Sequence, residues 1–235
     1  MRFLSGQFAG RWLVAVAAVF AAAAAVSAEP LHKTAAIRRP VSLVRIGDVV
    51  LTANRETGSV SILNTDSLSI VGECPISKSL DDLIAVPHSN SLLAVDSSSH
   101  ELIQIGIQKG RITAESVKVI HRVPVARYPV SVVAMPSGNL ASVASRWSRR
   151  LTVVLFDGEE SAPRVARTID LPFAPGKQLA LDDRHVLVAD AFAGQLAVVD
   201  VRSGTIRSRR ALNGHNIRGL GLGANRQRGH GTHQI

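Results

Sequence analysis

This 235-residue sequence predicts an all-β chain made of repeated four-stranded antiparallel units. Three observations lead there. From Val41 onward, runs of four to six apolar or β-branched residues are separated every eight to twelve positions by Gly, Pro, Asn, Asp or Ser, the punctuation of short strands and tight turns. One hairpin, Val49 to Leu63, returns as Leu92 to Ile105, Leu140 to Leu155 and Val186 to Val199. No segment after Ala28 holds apolar residues at helical spacing for three turns, so the crossover helices of a parallel α/β sheet are missing.

At the amino end, Arg2 and Arg11 precede an uninterrupted apolar run, Trp12 to Val26, that closes on Val26-Ser27-Ala28 before Glu29-Pro30. This is the pattern of a secretory signal peptide over residues 1–28, with an uncleaved anchor as the alternative. The run of 15 residues is shorter than the roughly 18 to 20 that cross a bilayer core. An exported protein, periplasmic or extracellular, with no membrane span after cleavage is the expectation. Residues 29–40, bracketed by Pro30 and Pro40, show no periodicity and read as a linker; residues 41–235 carry the repeats.

The formal charge of +9 falls to about +7 once the two leader arginines are removed. For an exported chain that balance favours an acidic protein, a membrane surface or an anionic polysaccharide as partner. No nucleic-acid module is visible, and aromatics at 4% are too few for a base-stacking platform, so no nucleic acid is expected. Cys74 is the only cysteine; no intrachain disulfide can form, and its place at a strand end predicts a buried, unreactive thiol.

Each unit reads the same way. In the first, Val49 to Ala53 and Ser59 to Leu63 form a hairpin around Arg55-Glu56-Thr57-Gly58, and Ser69 to Pro75 makes an outer strand after the Asn64-Thr65-Asp66 turn. Inner strands are predicted at Leu83 to Val86, Ser131 to Met135, Gln178 to Leu181 and Ile217 to Leu222. Each leads into a turn: Pro87 to Asn90, Pro136 to Asn139, Asp182 to His185, and Gly223 to Arg226. The polar residues that end the second strands, Asn54, Asp96, Ser145 and Asp190, stand 42, 49 and 45 residues apart, and His233 lies another 43 on. An interval in the forties marks the blade of a β-propeller, about 40 to 50 residues. The expected fold is a β-propeller of about four blades plus the start of a fifth, an incomplete ring.

At these positions the chain resembles the YVTN family of β-propellers, named for a Tyr-Val-Thr-Asn strand end. The matching residues are Leu51-Thr52-Ala53-Asn54 and Leu187-Val188-Ala189-Asp190, followed by Gly58 to Leu63 and by Gly194 to Asp200 with the Ser203-Gly204 turn. A WD40 pattern fits less well, because Gly214-His215 has no matching Trp-Asp. The resemblance implies about seven blades, roughly 300 residues at this period. A shorter chain relative to its relatives, two arcs that dimerise, or a compact four- or five-bladed closure would each account for the difference. An open arc would expose an apolar blade face at each end.

Propellers bind at the loops ringing the axis. The loops entering the inner strands offer Asp82, Tyr128, Lys177, His215 and Arg218 as candidate ligand contacts. His215, His230 and His233 lack a helix or an acidic neighbour to organise a metal site, and no metal or other cofactor is expected. Gly219 to Gly223 lacks the spacing and βαβ setting of a phosphate loop and reads as a glycine-tolerant inner strand. No Gly-x-Ser-x-Gly, His-Glu-x-x-His or Cys-x-x-Cys-His occurs, so no catalytic residue is assigned and covalent haem has no attachment motif. The functional expectation is an exported binding or interaction module, possible self-association included. The alternative is the propeller portion of a haem-dependent oxidoreductase or metal-dependent hydrolase.

Overall fold

The computed structural model describes residues 37–158 and 161–223. The leader, residues 29–36 of the linker, and His230 and His233 lie outside the described residues. Among the described residues the chain forms sixteen strands and one short 3-10 turn at Ala114–Ser116, with no α-helix.

The strands make four sequential antiparallel sheets. The first holds β1 (Pro40–Ile46), β2 (Val49–Asn54), β3 (Ser59–Asn64) and β4 (Ile70–Pro75). The second holds β5 (Asp82–Ala85), β6 (Ser91–Asp96), β7 (Glu101–Ile107) and β8 (Val117–Pro124). The third holds β9 (Pro129–Ala134), β10 (Leu140–Ser145), β11 (Arg150–Leu155) and β12 (Arg164–Asp170). The fourth holds β13 (Pro175–Ala180), β14 (His185–Asp190), β15 (Ala193–Asp200) and β16 (Thr205–His215). The repeated hairpins of the sequence are the β2–β3, β6–β7, β10–β11 and β14–β15 pairs. Pro40 lies at the start of β1, the inner strand of the first sheet, and Arg38 and Arg39 just before it are tied down by backbone bonds from Glu56 and Arg55.

One expected strand is not there. Residues 217–222 belong to no strand. A strand persists through ladder bonds to a neighbour, and among the described residues nothing flanks this segment as β2 flanks β1.

Period-2 alternation assembles the core. On one face of the first sheet Val49, Leu51, Ala53, Val60 and Ile62 pack against Leu83, Leu92, Ala94, Ile103 and Ile105 of the second. The other face of the second sheet, with Leu93, Val95 and Leu102, meets Val132, Ala141, Val143 and Val154 of the third. Leu151, Val153 and Ile169 of the third then meet Val186, Val188, Ala197 and Val199 of the fourth. There are thus three inter-sheet cores among the described residues. Each fully buried Leu or Ile in them contributes about 1.5–3 kcal/mol.

The inner strands also exchange hydrogen bonds at one repeated position, the residues paired with Ala53, Val95 and Ala144. Ser42 Oγ donates to the Leu83 carbonyl (2.9 Å), Asp82 Oδ2 accepts from the Val132 amide (3.1 Å), and Ser131 Oγ donates to the Gly176 carbonyl (2.7 Å). Gln178 reinforces the last junction through Ser131 and Ser142. The ladder therefore runs from the first sheet to the fourth.

The two terminal flanks differ. On the first sheet's free face, Asn54 Nδ2 donates to Ser59 and Ser61 (3.0 and 2.8 Å), Ser59 Oγ donates to Glu73 (2.7 Å), and Arg38 pairs with Glu73 (2.7 Å). Arg38 and then Ser59 hold the Glu73 carboxyl below the usual carboxylate range. The same face also carries Leu43, 70% exposed, Ile70, 53% exposed, and half-buried Val50 and Leu63, so a polar network and an apolar strip share it and the expectation of an apolar surface holds here in part. The fourth sheet fits it as well, since the register puts Leu179, Leu187, Leu196 and Val198, all half-buried, on its free face.

Candidate functional site

The register residues shape the hairpin loops. Asn54, Asp96, Ser145 and Asp190 are all buried. Asp96 accepts from the Ser98 and Ser99 amides (2.6 and 3.0 Å) and from Ser77 Oγ, Ser145 Oγ donates to the Ala126 carbonyl (2.7 Å), and Asp190 accepts from the Phe192 amide (2.9 Å). These short polar side chains satisfy loop groups that burial would otherwise strand. Burial alone would raise the Asp96 carboxyl, but the bonds from Ser77 and the two serine amides hold it below its ordinary value.

The residue after three of the four register positions is fixed in turn by its backbone amide. Arg55 N–H donates to Arg39 O (3.0 Å), Arg146 N–H to Tyr128 O (3.0 Å) and Ala191 N–H to Ala174 O (2.8 Å). Each acceptor immediately precedes the proline that opens, or lies at the start of, an inner strand: Pro40, Pro129 or Pro175. In the first hairpin Gly58 is essential to this geometry: its φ is +60°, and an added Cβ would lie 2.0 Å from the Ser77 carbonyl oxygen.

Residues from all four sheets consequently surround one basin of about 290 Å³. Its lining includes Val41, Arg55, Asp81, Arg146, Lys177 and Arg218. Arg55 Nη2 pairs with Asp81 Oδ1 at 2.6 Å, and the Ser97 amide donates to Asp81 Oδ2 at 3.3 Å. Asp81 is thus committed to groups already present. Arg146 has no salt-bridge partner among the described residues, and its buried Nε makes no hydrogen bond. Burial, then the like charges of Arg55 and Arg218, push the Arg146 pKa down. Four cations against one acid give a basin with a surplus of positive charge.

The five residues expected at this face are partly united. Lys177 and Arg218 line the basin. Asp82 is buried at the start of β5, where it serves the inter-sheet bond to Val132; burial raises its carboxyl pKa, opposed by the Lys177 charge and the Val132 amide. Its neighbour Asp81 is the acid of the basin. Tyr128 and His215 are exposed and do not line it. Arg55 and Arg146 escaped the sequence reading, although both directly follow register residues, and that repeated position was the available signal.

Tyr128 belongs instead to an aromatic cluster. Trp147 and Phe192 stack with centroids 5.5 Å apart and planes at 28°, while Tyr128 meets Trp147 edge-on at 6.2 Å and 63°. Elsewhere, Cys74 is buried, its Sγ donating to the Ala114 carbonyl at 3.3 Å, and burial pushes the thiol pKa up. Among the described residues no three His, Cys, Asp or Glu side chains converge as metal ligands, and no helix is long and apolar enough to cross a membrane.

No protein-family model and no curated protein sequence matches this chain. Among solved structures it is similar to hydrazine synthase from Kuenenia stuttgartiensis, a propeller-containing protein, with a TM-score of 0.65 and 16% identity over 83% of this chain and 56% of that one. The fold is a β-propeller. A functionally unknown protein from Desulfotomaculum acetoxidans DSM 771 is similar with a TM-score of 0.61 and 14% identity, over 72% of this chain and 55% of its own. The four sheets are therefore propeller blades, and the chain spans little more than half the length of either neighbour. At such identities the likeness concerns the fold alone.

Proposed function

We propose that this propeller is an exported binding module whose axial basin receives an anionic group. The observation that carries this is the meeting of Arg55, Arg146, Lys177 and Arg218 in one cavity where the single acid, Asp81, is already paired. Crowding like charges in a half-buried site costs free energy in the empty protein, and an anion relieves it. A ligand carboxylate, sulfate or phosphate would accept charge-assisted hydrogen bonds from the guanidinium groups. Arg55 and Arg146 each have a buried Nε lacking a partner, and Arg146 has the most to offer because Arg55 is already paired with Asp81.

The basic surplus predicted from composition supports the same reading, as does the position of the basin at the loop face, where propellers commonly bind. The YVTN resemblance supports a propeller repeat protein of this general kind. Calorimetric titration with inorganic sulfate and phosphate tests the proposal. Binding that weakens with added sodium chloride and is lost in Arg146→Gln, with the thermal midpoint unchanged or higher, is the expected result. Equal anion binding by wild type and Arg146→Gln would exclude the basin as the site.

A further inference from the structure

Beside the basin stands a feature that charge does not explain. Of the five aromatic residues between positions 37 and 223, Tyr128, Phe156, Phe173, Trp147 and Phe192, three gather on one exposed ridge. Trp147 is 60% exposed, Phe192 53% and Tyr128 43%. Trp147 directly follows Arg146, and Phe192 directly follows Ala191, both lining residues of the basin. The ridge and the basin thus share the loops that follow Ser145 and Asp190, and the Arg146 amide is bonded to the Tyr128 carbonyl at 3.0 Å. Exposed rings clustered at a pocket rim mark a contact surface more strongly than scattered apolar residues do.

We infer that the ligand of this face is an acidic polysaccharide, one sugar ring lying on the Trp147 plate and its carboxylate seated among Arg146, Lys177 and Arg218. This rests on the anion-binding reading of the basin. A pyranose ring offers an apolar C–H face together with polar edges, which suits an aromatic plate bordered by hydrogen-bond donors. A uronic acid adds the charge that the basin takes.

The arrangement favours a saccharide over single-stranded nucleic acid. Base stacking along a strand uses successive, separate ring faces beside a groove of cations that follows the backbone. Here Phe192 is stacked on Trp147 and Tyr128 is turned edge-on to it, so the three rings form one compact cluster and not a row of separate ring faces. The cations sit together in one basin of about 290 Å³ and not along a groove.

The test uses the full chain and four probes: an oligogalacturonate, the neutral cello-oligosaccharide of equal length, inorganic phosphate, and oligothymidylate. Binding is measured by calorimetry and by tryptophan emission at low and physiological salt. Oligogalacturonate is expected to bind and shift the emission, to bind at least about tenfold more tightly than phosphate or the neutral oligosaccharide, and to lose about tenfold in Trp147→Ala with recovery in Trp147→Phe. Unchanged thermal midpoints establish that both variants are folded. Oligogalacturonate affinity no better than that of phosphate, or indifferent to Trp147→Ala, overturns the saccharide inference while phosphate binding through Arg146 leaves the basin reading intact. Absence of any anion binding overturns both. Tighter, Trp147-dependent binding of oligothymidylate overturns the saccharide in favour of nucleic acid.

Discussion

Arg55 and Asp81 show how much a single pair decides at this face. Asp81 keeps only 6% of its side-chain surface exposed, while Arg55 keeps 35%, so removing the arginine strands a buried carboxylate. Arg55→Met is expected to cost about 1–2 kcal/mol in chemical denaturation, less than a wholly buried pair because water screens one partner. The double variant Arg55→Met/Asp81→Asn should recover part of that loss. Asp200 makes a different prediction. Its enclosed carboxylate meets Arg184 and Arg207, each at 2.7 Å, and accepts from the Arg202 and Ser203 amides, both at 3.0 Å. Burial would raise this carboxyl, but the Ser203 amide and the two guanidinium groups hold it far below the ordinary range. A depressed folded pKa stabilises above the unfolded value of about 3.9, and that contribution fades as pH falls from there toward the folded value. Asp200→Asn should therefore lower stability at neutral pH and flatten the acid limb below about pH 4, as seen in thermal midpoints against pH. At this scale the sequence showed the polar register positions and half of the basin cations. It did not separate Asp81 from Asp82, since Asp81 stands just before β5 and Asp82 opens it, and only the assembled blades show which of the two meets Arg55.

The hairpin is the element that the rest of the blade depends on. Strand 2 ends on a buried polar residue, the next residue bonds back to the inner-strand approach, and in the first blade Gly58 lets Ser77 close over the turn. Gly58→Ala combines a left-handed φ with an overlap against backbone, so a loss of about 2 kcal/mol or more is expected on urea denaturation. A loss below about 0.5 kcal/mol would mean that the turn relaxes freely. Hairpins were legible because alternation and turn residues are local signals. The failed element, residues 217–222, shows the limit of that logic. Its apolar and glycine pattern suits an inner strand, yet the state of a strand is settled by the neighbour that pairs with it.

Across the whole molecule the free flanks set the question of closure. Leu187 occupies the position that Leu51 and Leu93 hold in the first two sheets, where both are fully buried; on the fourth sheet it is half-buried. Leu93→Ala should cost about 2–5 kcal/mol, whereas Leu187→Ala should cost about 1 kcal/mol or less if its face stays uncovered. Equal losses, or a change in sedimentation with Leu187→Ala, would show that another molecule covers the flank in solution. The polar network of Asn54, Ser59, Ser61 and Glu73 occupies part of the first blade's outer face, beside exposed Leu43 and Ile70. By itself the sequence determined the all-β class, the blade period and the placement of the hairpins, because turn residues and two-residue alternation act over short distances. Only the tertiary structure decided which cations share a basin, which rings share a ridge and which flank carries a polar network, because those depend on sheet register and on loops from different blades meeting in space.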